Sequence, residues 1–218
     1  MKNRLARAAL IALSAIAITT TTAITADVQR TVQKASIGTA YAAIALLALT
    51  LSLGPLSTLR GRRYPTSTVT RRDLGIGAAV LAIIHTALGI QVHVGGNIGK
   101  YFIPQDLTVF SHASQTAFFA ANHTGLISLL LLLVVLGVSN DLSLKRMGAK
   151  RWKRLQRLAY MAALVAAAHG TLYLLLEHRV LGLAALFVAI TAATAALQLA
   201  GRSARRAAAL PAAHEVLR

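Results

Sequence analysis

Seven histidines, His85, His93, His112, His123, His169, His178 and His214, are the residues of this chain best equipped for chemistry, because it contains no cysteine. Without thiols there are no disulfides, thiolate metal sites or iron–sulfur clusters, so a bound metal must be held by nitrogen or oxygen. Two of the seven share one depth. At ~1.5 Å per helical residue, His85 lies about 20 Å beyond the basic boundary at Arg72, and His169 about 18 Å beyond that at Arg157. If their helices face each other, the imidazoles meet from opposite sides at one level, and the gap accommodates a flat porphyrin. Iron suits imidazole, so the pair points to one b-type haem in the outer half of a membrane, with His85 and His169 as axial ligands to its iron. The plain alternative for either residue alone is a hydrogen bond to a neighbouring carbonyl or serine.

Ionisable side chains within a bilayer are rare, costly and usually functional. His93 and His178 fall about 31 Å from the inner edge, at the outer interface, where amphipathic rings are common for solvation alone. His178 also falls on the helical face opposite His169. His112 reads as part of the outer loop and His214 as part of a solvated tail. His123, about 26 Å from the inner end of its run at Asn140, is the alternative ligand, or a contact for a haem propionate.

These positions matter only if helices hold them in a membrane. Of the 218 residues, 56% are hydrophobic and only 13% charged, and the mean hydropathy of +0.62 excludes most soluble classes. Apolar runs at about 5–26, 37–56, 74–94, 115–138, 158–177 and 180–200 are each long enough to span a bilayer. With no water in the hydrocarbon to satisfy free backbone groups, each should be helical. The expected fold is an all-α integral membrane protein, a six-transmembrane-helix bundle forming a single transmembrane domain over residues 1–218. The first run reads as a retained helix, since cleavage after Ala26 would place Ile24 where a secretory signal prefers a small residue. Pro55 and the basic loop after it should end the second run.

The net charge of +17 is concentrated between the runs, in Arg60, Arg62, Arg63, Arg71 and Arg72, in Lys145, Arg146, Lys150, Arg151, Lys153, Arg154 and Arg157, and in Arg202, Arg205 and Arg206. This positive-inside pattern puts both termini in the cytoplasm, and the anionic lipid bilayer is a sufficient partner for these cations. No recognition motif accompanies the charge, so nucleic acid is not an expected partner.

Gly38-Thr39-Ala40 leading through Leu51-Ser52-Leu53-Gly54-Pro55, then Arg71-Arg72-Asp73-Leu74-Gly75 and Ile84-His85, resembles the ferric-reductase-like transmembrane domain. Gly148-Ala149-Lys150-Arg151-Trp152-Lys153-Arg154-Leu155-Gln156-Arg157-Leu158-Ala159-Tyr160, followed by His169, is similar to the same family, nearest its MsrQ type, the haem-bearing membrane partner of a periplasmic methionine sulfoxide reductase. The resemblance implies haem ligation by His85 and His169 and a multi-pass protein of the bacterial-type inner membrane. The implied role is electron transport, as an oxidoreductase component acting with a partner. The MsrQ-type pattern has a further histidine where this chain has Gln156, ~20 Å nearer the cytoplasm than His169. Glutamine is a poor haem ligand, so one haem is expected.

A single haem in the outer half leaves the inner half to be bridged. There is no GxGxxG and too little soluble mass for a nucleotide-binding domain, so any flavin or nicotinamide domain belongs to a partner. The expectation is that quinol, or a flavin such as FMN, binds near Arg71, Arg72, Trp152, Lys153 and Gln156 and donates electrons that leave to an acceptor on the periplasmic side. The alternative for those cations is topology and lipid contact, and for Trp152 interfacial anchoring. Lys100, Tyr101 and Phe102 form the expected docking surface for a periplasmic redox partner or larger complex. Metal reduction and support of a periplasmic reductase both fit the resemblance. The rival function is a non-redox structural or assembly subunit in which His85 and His169 merely bond neighbouring helices. Transport and hydrolysis lack support: Asp27, Asp73, Asp106, Asp141 and Glu177 lie at or beyond span ends, with no broken helix, nucleophile or carboxylate pair.

Overall fold

The computed structural model describes residues 2–61, 68–102, 112–177 and 180–215. Arg62, Arg63, Asp106, His178 and Arg179 fall outside the described residues. The elements are α1 (Lys2–Thr25), α2 (Thr31–Leu59), α3 (Thr68–Val94), α4 (Ile98–Phe102), α5 (His112–Gly137), α6 (Asp141–Gln156), α7 (Leu158–Leu176) and α8 (Leu181–Glu215), with no strand among the described residues. Six helical stretches are long and apolar enough to cross a membrane, and each overlaps one of the six expected runs. Threonines inside them return their hydroxyls to the carbonyl four residues back, as Thr22, Thr39, Thr50 and Thr86 do. Such polar side chains need no partner from outside the helix.

Helix α2 packs against α1, α3 and α8, while α5 pairs with α7. Helix α2 passes through Pro55 and ends at Leu59, where the basic loop begins with Arg60. Proline lacks the N–H that would bond the carbonyl of Leu51. Gln198 on α8 supplies the donor instead, its Nε2 lying 2.8 Å from the Leu51 oxygen. An apolar surrounding makes that replacement valuable, because an unsatisfied carbonyl there is costly.

The basic segment over 141–156 and the basic tail after residue 200 are helical. Asn140 caps α6 by accepting from the Ser143 backbone N–H at 2.7 Å, a standard way to satisfy an orphan donor. Gly148 kinks α6 at φ 73°, a conformation that glycine adopts without steric cost. The alanine-rich tail continues α8 to Glu215, so His214 belongs to a helix, and His112 likewise opens α5.

Polar contacts gather the basic segments at one end of the bundle. Arg7 pairs with Asp73 at 3.4 Å, Arg72 with Asp141 at 2.7 Å, and Arg205 donates to the Thr58 hydroxyl at 3.4 Å. Toward that end Leu46, Leu47, Leu51, Leu74, Ala78, Leu132 and Ala162 form an apolar cluster. A second cluster, Ala26, Ile37, Tyr41, Leu183 and Phe187, lies toward the other end.

Candidate functional site

Helices α2, α3, α5 and α7 line a partly open cavity, and both His85 and His169 face it. Its lining includes the apolar Leu47, Ala78, Ala82 and Leu132 together with the polar Tyr41, His93, Tyr101, Asn122 and Tyr173. An apolar pocket with a few converging polar groups is the usual form of a cofactor site.

The two imidazoles come together as their matched depths require, with ring centres 6.1 Å apart and planes at 72°. Each is held by a different helix. The Nδ1 of His85 lies 2.9 Å from the Ser36 carbonyl oxygen on α2, and the Nδ1 of His169 lies 2.7 Å from the Ala121 carbonyl oxygen on α5. A carbonyl can only accept, so both nitrogens carry the proton and both Nε2 atoms carry the lone pair. Metal-ligating histidines show this arrangement, in which the bond from the second nitrogen fixes tautomer and ring orientation and raises basicity.

The donor set fits a haem. A metal held by two imidazole nitrogens at about 2.0–2.1 Å each places the ring centres about 6 Å apart, close to what His85 and His169 show. Small residues clear the flanks: Ala82 and Gly89 beside His85, and Ala166 beside His169, all line the cavity. Gly125 decides where the His169 ring sits, since a Cβ there would come within 2.7 Å of the imidazole. The Ser128 hydroxyl donates to the Ala162 carbonyl at 3.0 Å, closing the same α5–α7 contact further along.

His93 also lines the cavity, its ring 5.0 Å from that of Tyr173 and its Nε2 3.8 Å from a Glu177 carboxylate oxygen. His123 is exposed and outside the cavity lining, with its Nδ1 donating to the Phe119 carbonyl at 2.8 Å. Three residues that sequence reasoning passed over belong to the rim: Asn122, whose Oδ1 accepts from the Tyr173 hydroxyl at 2.6 Å, Tyr173 itself, and Gly125. The available signals were an asparagine inside an apolar run, which is costly unless used, and a tyrosine one turn from His169 on the same helical face.

At the basic end, three of the five residues grouped as a quinone or flavin site are bonded within the chain. The Trp152 indole donates to the Val138 carbonyl at 2.8 Å, Gln156 Nε2 lies 3.2 Å from the Ser139 hydroxyl, and Arg72 pairs with Asp141. Arg71 lies against Gly54 and Lys153 is exposed. Between α3 and α5, Lys100 and Phe102 of α4 are exposed, whereas Tyr101 turns its hydroxyl inward to the Asn122 carbonyl at 2.5 Å. Burial pushes the Tyr101 phenol above its ordinary pKa of 10.0, so it remains a donor at neutral pH.

The family model for the ferric reductase like transmembrane component matches residues 39–167, more than half of the chain. The chain belongs to the ferric-reductase-like transmembrane family. The matched segment contains His85 and ends just before His169. The chain is also 30% identical over 129 residues to a protein-methionine-sulfoxide reductase heme-binding subunit, MsrQ, from Deinococcus radiodurans, a match covering 58% of this chain and 56% of the relative. The chain thus spans a little over half the length of the curated relative it matches. Six apolar helices in a member of this family make it a multi-pass protein of the bacterial inner membrane.

Proposed function

We propose that this membrane electron-transfer subunit carries one b-type haem between His85 and His169 and moves electrons from quinol or a flavin to an acceptor on the periplasmic side. The observation that carries the reading is the pair of Nδ1-anchored imidazoles, with centres 6.1 Å apart, lining one cavity. A structural pair bonding neighbouring helices would need the two carbonyl contacts but not the shared cavity. When bound, haem supplies one-electron chemistry whose potential is set by its axial ligands, hydrogen bonds and surroundings.

The chain's own contribution is placement and insulation. Ser36 and Ala121 hold the two rings in their ligating tautomer, and the cavity they share is lined mainly by apolar surface. Only one haem is expected, because Gln156, a poor haem ligand, stands where the MsrQ-type pattern has a further histidine. Gln156, at the level where a second ligand would stand, is bonded to Ser139. The clustering of Arg7, Arg72 and Arg205 at one end supports a cytoplasmic assignment for that end and for both termini. Arg71, Arg72, Trp152, Lys153 and Gln156 are then the donor-side residues for quinol or FMN, and Lys100 and Phe102 face the periplasm. Likeness to the MsrQ subunit supports a protein-methionine-sulfoxide reductase as the partner there.

The test is the reduced-minus-oxidised spectrum of purified protein, with haem and protein quantified together. A ratio near one, abolished in His85→Ala and in His169→Ala, supports the reading. A colourless wild type removes it, and a ratio near two removes the single-haem claim.

A further inference from the structure

The cavity rim holds one buried donor that the ligand pair does not use. Asn122 is 2% exposed, lines the cavity, and its Nδ2 has no hydrogen-bond partner among the described residues. The amide orientation follows from distance: its other atom lies 2.6 Å from the Tyr173 hydroxyl, within the O–H···O range and short of the usual N–H···O range. Tyr173 therefore faces the amide oxygen and leaves the NH₂ as the open group. The surrounding hydroxyls are committed to protein acceptors, Tyr101 to the Asn122 carbonyl and Tyr41 to the Leu183 carbonyl. Buried N–H groups are almost always paired, and an exception calls for a missing acceptor.

Position narrows the acceptor. Asn122 precedes Gly125 by about one helical turn on α5, and Gly125 is the residue against which the His169 ring rests. The open donor thus sits one turn from the ligating level, beside the periphery of whatever lies between the imidazoles. We infer that Asn122 is a carboxylate subsite: its Nδ2–H donates to a peripheral carboxylate of the porphyrin, with Tyr173 and Tyr101 as the residues that position it. This rests on the haem reading above and goes beyond it by naming what recognises the porphyrin's acidic edge.

Protein produced under haem limitation and then titrated with iron protoporphyrin IX or with its dimethyl ester, followed by Soret absorbance, separates the two claims. Wild type is expected to prefer the free acid by about tenfold, the worth of one charge-assisted hydrogen bond. Asn122→Leu is expected to bind both with a bis-imidazole spectrum and to lose the preference. Asn122→Asp, close in shape but anionic, is expected to reverse it, which keeps the test open if the leucine variant does not fold. An unchanged preference in either variant overturns the subsite. Failure of wild type to take up either porphyrin overturns the haem reading instead.

Discussion

His85 and His169 meet with ring centres 6.1 Å apart and planes at 72°, each tethered through Nδ1 to a carbonyl on a different neighbouring helix. The same contacts that fix the rings also tie α3 to α2 and α7 to α5, so the ligand geometry is built into the helix packing.

Gly125 and Gly89 separate ring placement from cavity space. A methyl at Gly125 would lie within 2.7 Å of the His169 ring, whereas at Gly89 it meets nothing within 4 Å. Gly125→Ala should displace the imidazole and weaken haem retention by about tenfold or more, the size of a one- to three-kcal/mol overpacking cost. Gly89→Ala adds its methyl without touching either ring and should retain haem better than Gly125→Ala. Haem-to-protein ratios after extensive washing in detergent check both, and equal retention would contradict this placement of the ring.

Gln156→His offers an imidazole on the donor side, yet it should not create a second site. Leu46, Leu51 and Ala162 are buried toward that end, and packed interiors yield little room without strain. Quantified haem per chain should stay near one in the variant. A rise to two would show that the inner half can open.

Gln198 replaces the donor that Pro55 removes, so Gln198→Leu should cost about 1–3 kcal/mol by orphaning the Leu51 carbonyl. In a Pro55→Ala background the backbone N–H returns, and the same substitution should cost markedly less, a coupling that a double-mutant cycle reads directly. Thermal unfolding in detergent measures all four proteins, while the haem spectrum should not change. Additive effects would dismiss the replacement.

Tyr101 carries a pH signature. Its folded pKa is raised above 10.0 by burial, so below pH 10 the phenol is protonated in both folded and unfolded chains and its bond to Asn122 contributes fully. Above that value the unfolded chain ionises first, and the contribution falls as pH rises toward and through the folded pKa. The stability difference between wild type and Tyr101→Phe should be flat, about 1 kcal/mol, below pH 10 and shrink above it. A difference that grows with alkalinity would refute this.

Much of this was legible in the sequence. Hydropathy located all six spans because the bilayer sets their length, and counting rise per residue matched His85 with His169 because both helices start from a basic boundary. What escaped was lateral. The helix over 141–156 is set by contacts such as the Asn140 cap, and the donor that serves the Leu51 carbonyl opposite Pro55 is Gln198, far along the chain. Asn122, Tyr173 and Gly125 share the rim with the ligand pair only through the α5–α7 packing, and single-sequence periodicity does not say which faces meet. His123, at a depth similar to that of other candidates, turns outward to its own helix's Phe119 carbonyl. Depth is a property of one helix, whereas facing is a property of two.

Low-temperature electron paramagnetic resonance of the oxidised, purified protein, with spins counted against protein, tests the central claim most directly. Two axial imidazoles held at 72° predict one low-spin ferric centre per chain with the strong anisotropy of nearly perpendicular rings, lost when either His85 or His169 is replaced by alanine. A protein without a ferric signal, or a haem signal indifferent to both substitutions, would contradict the account.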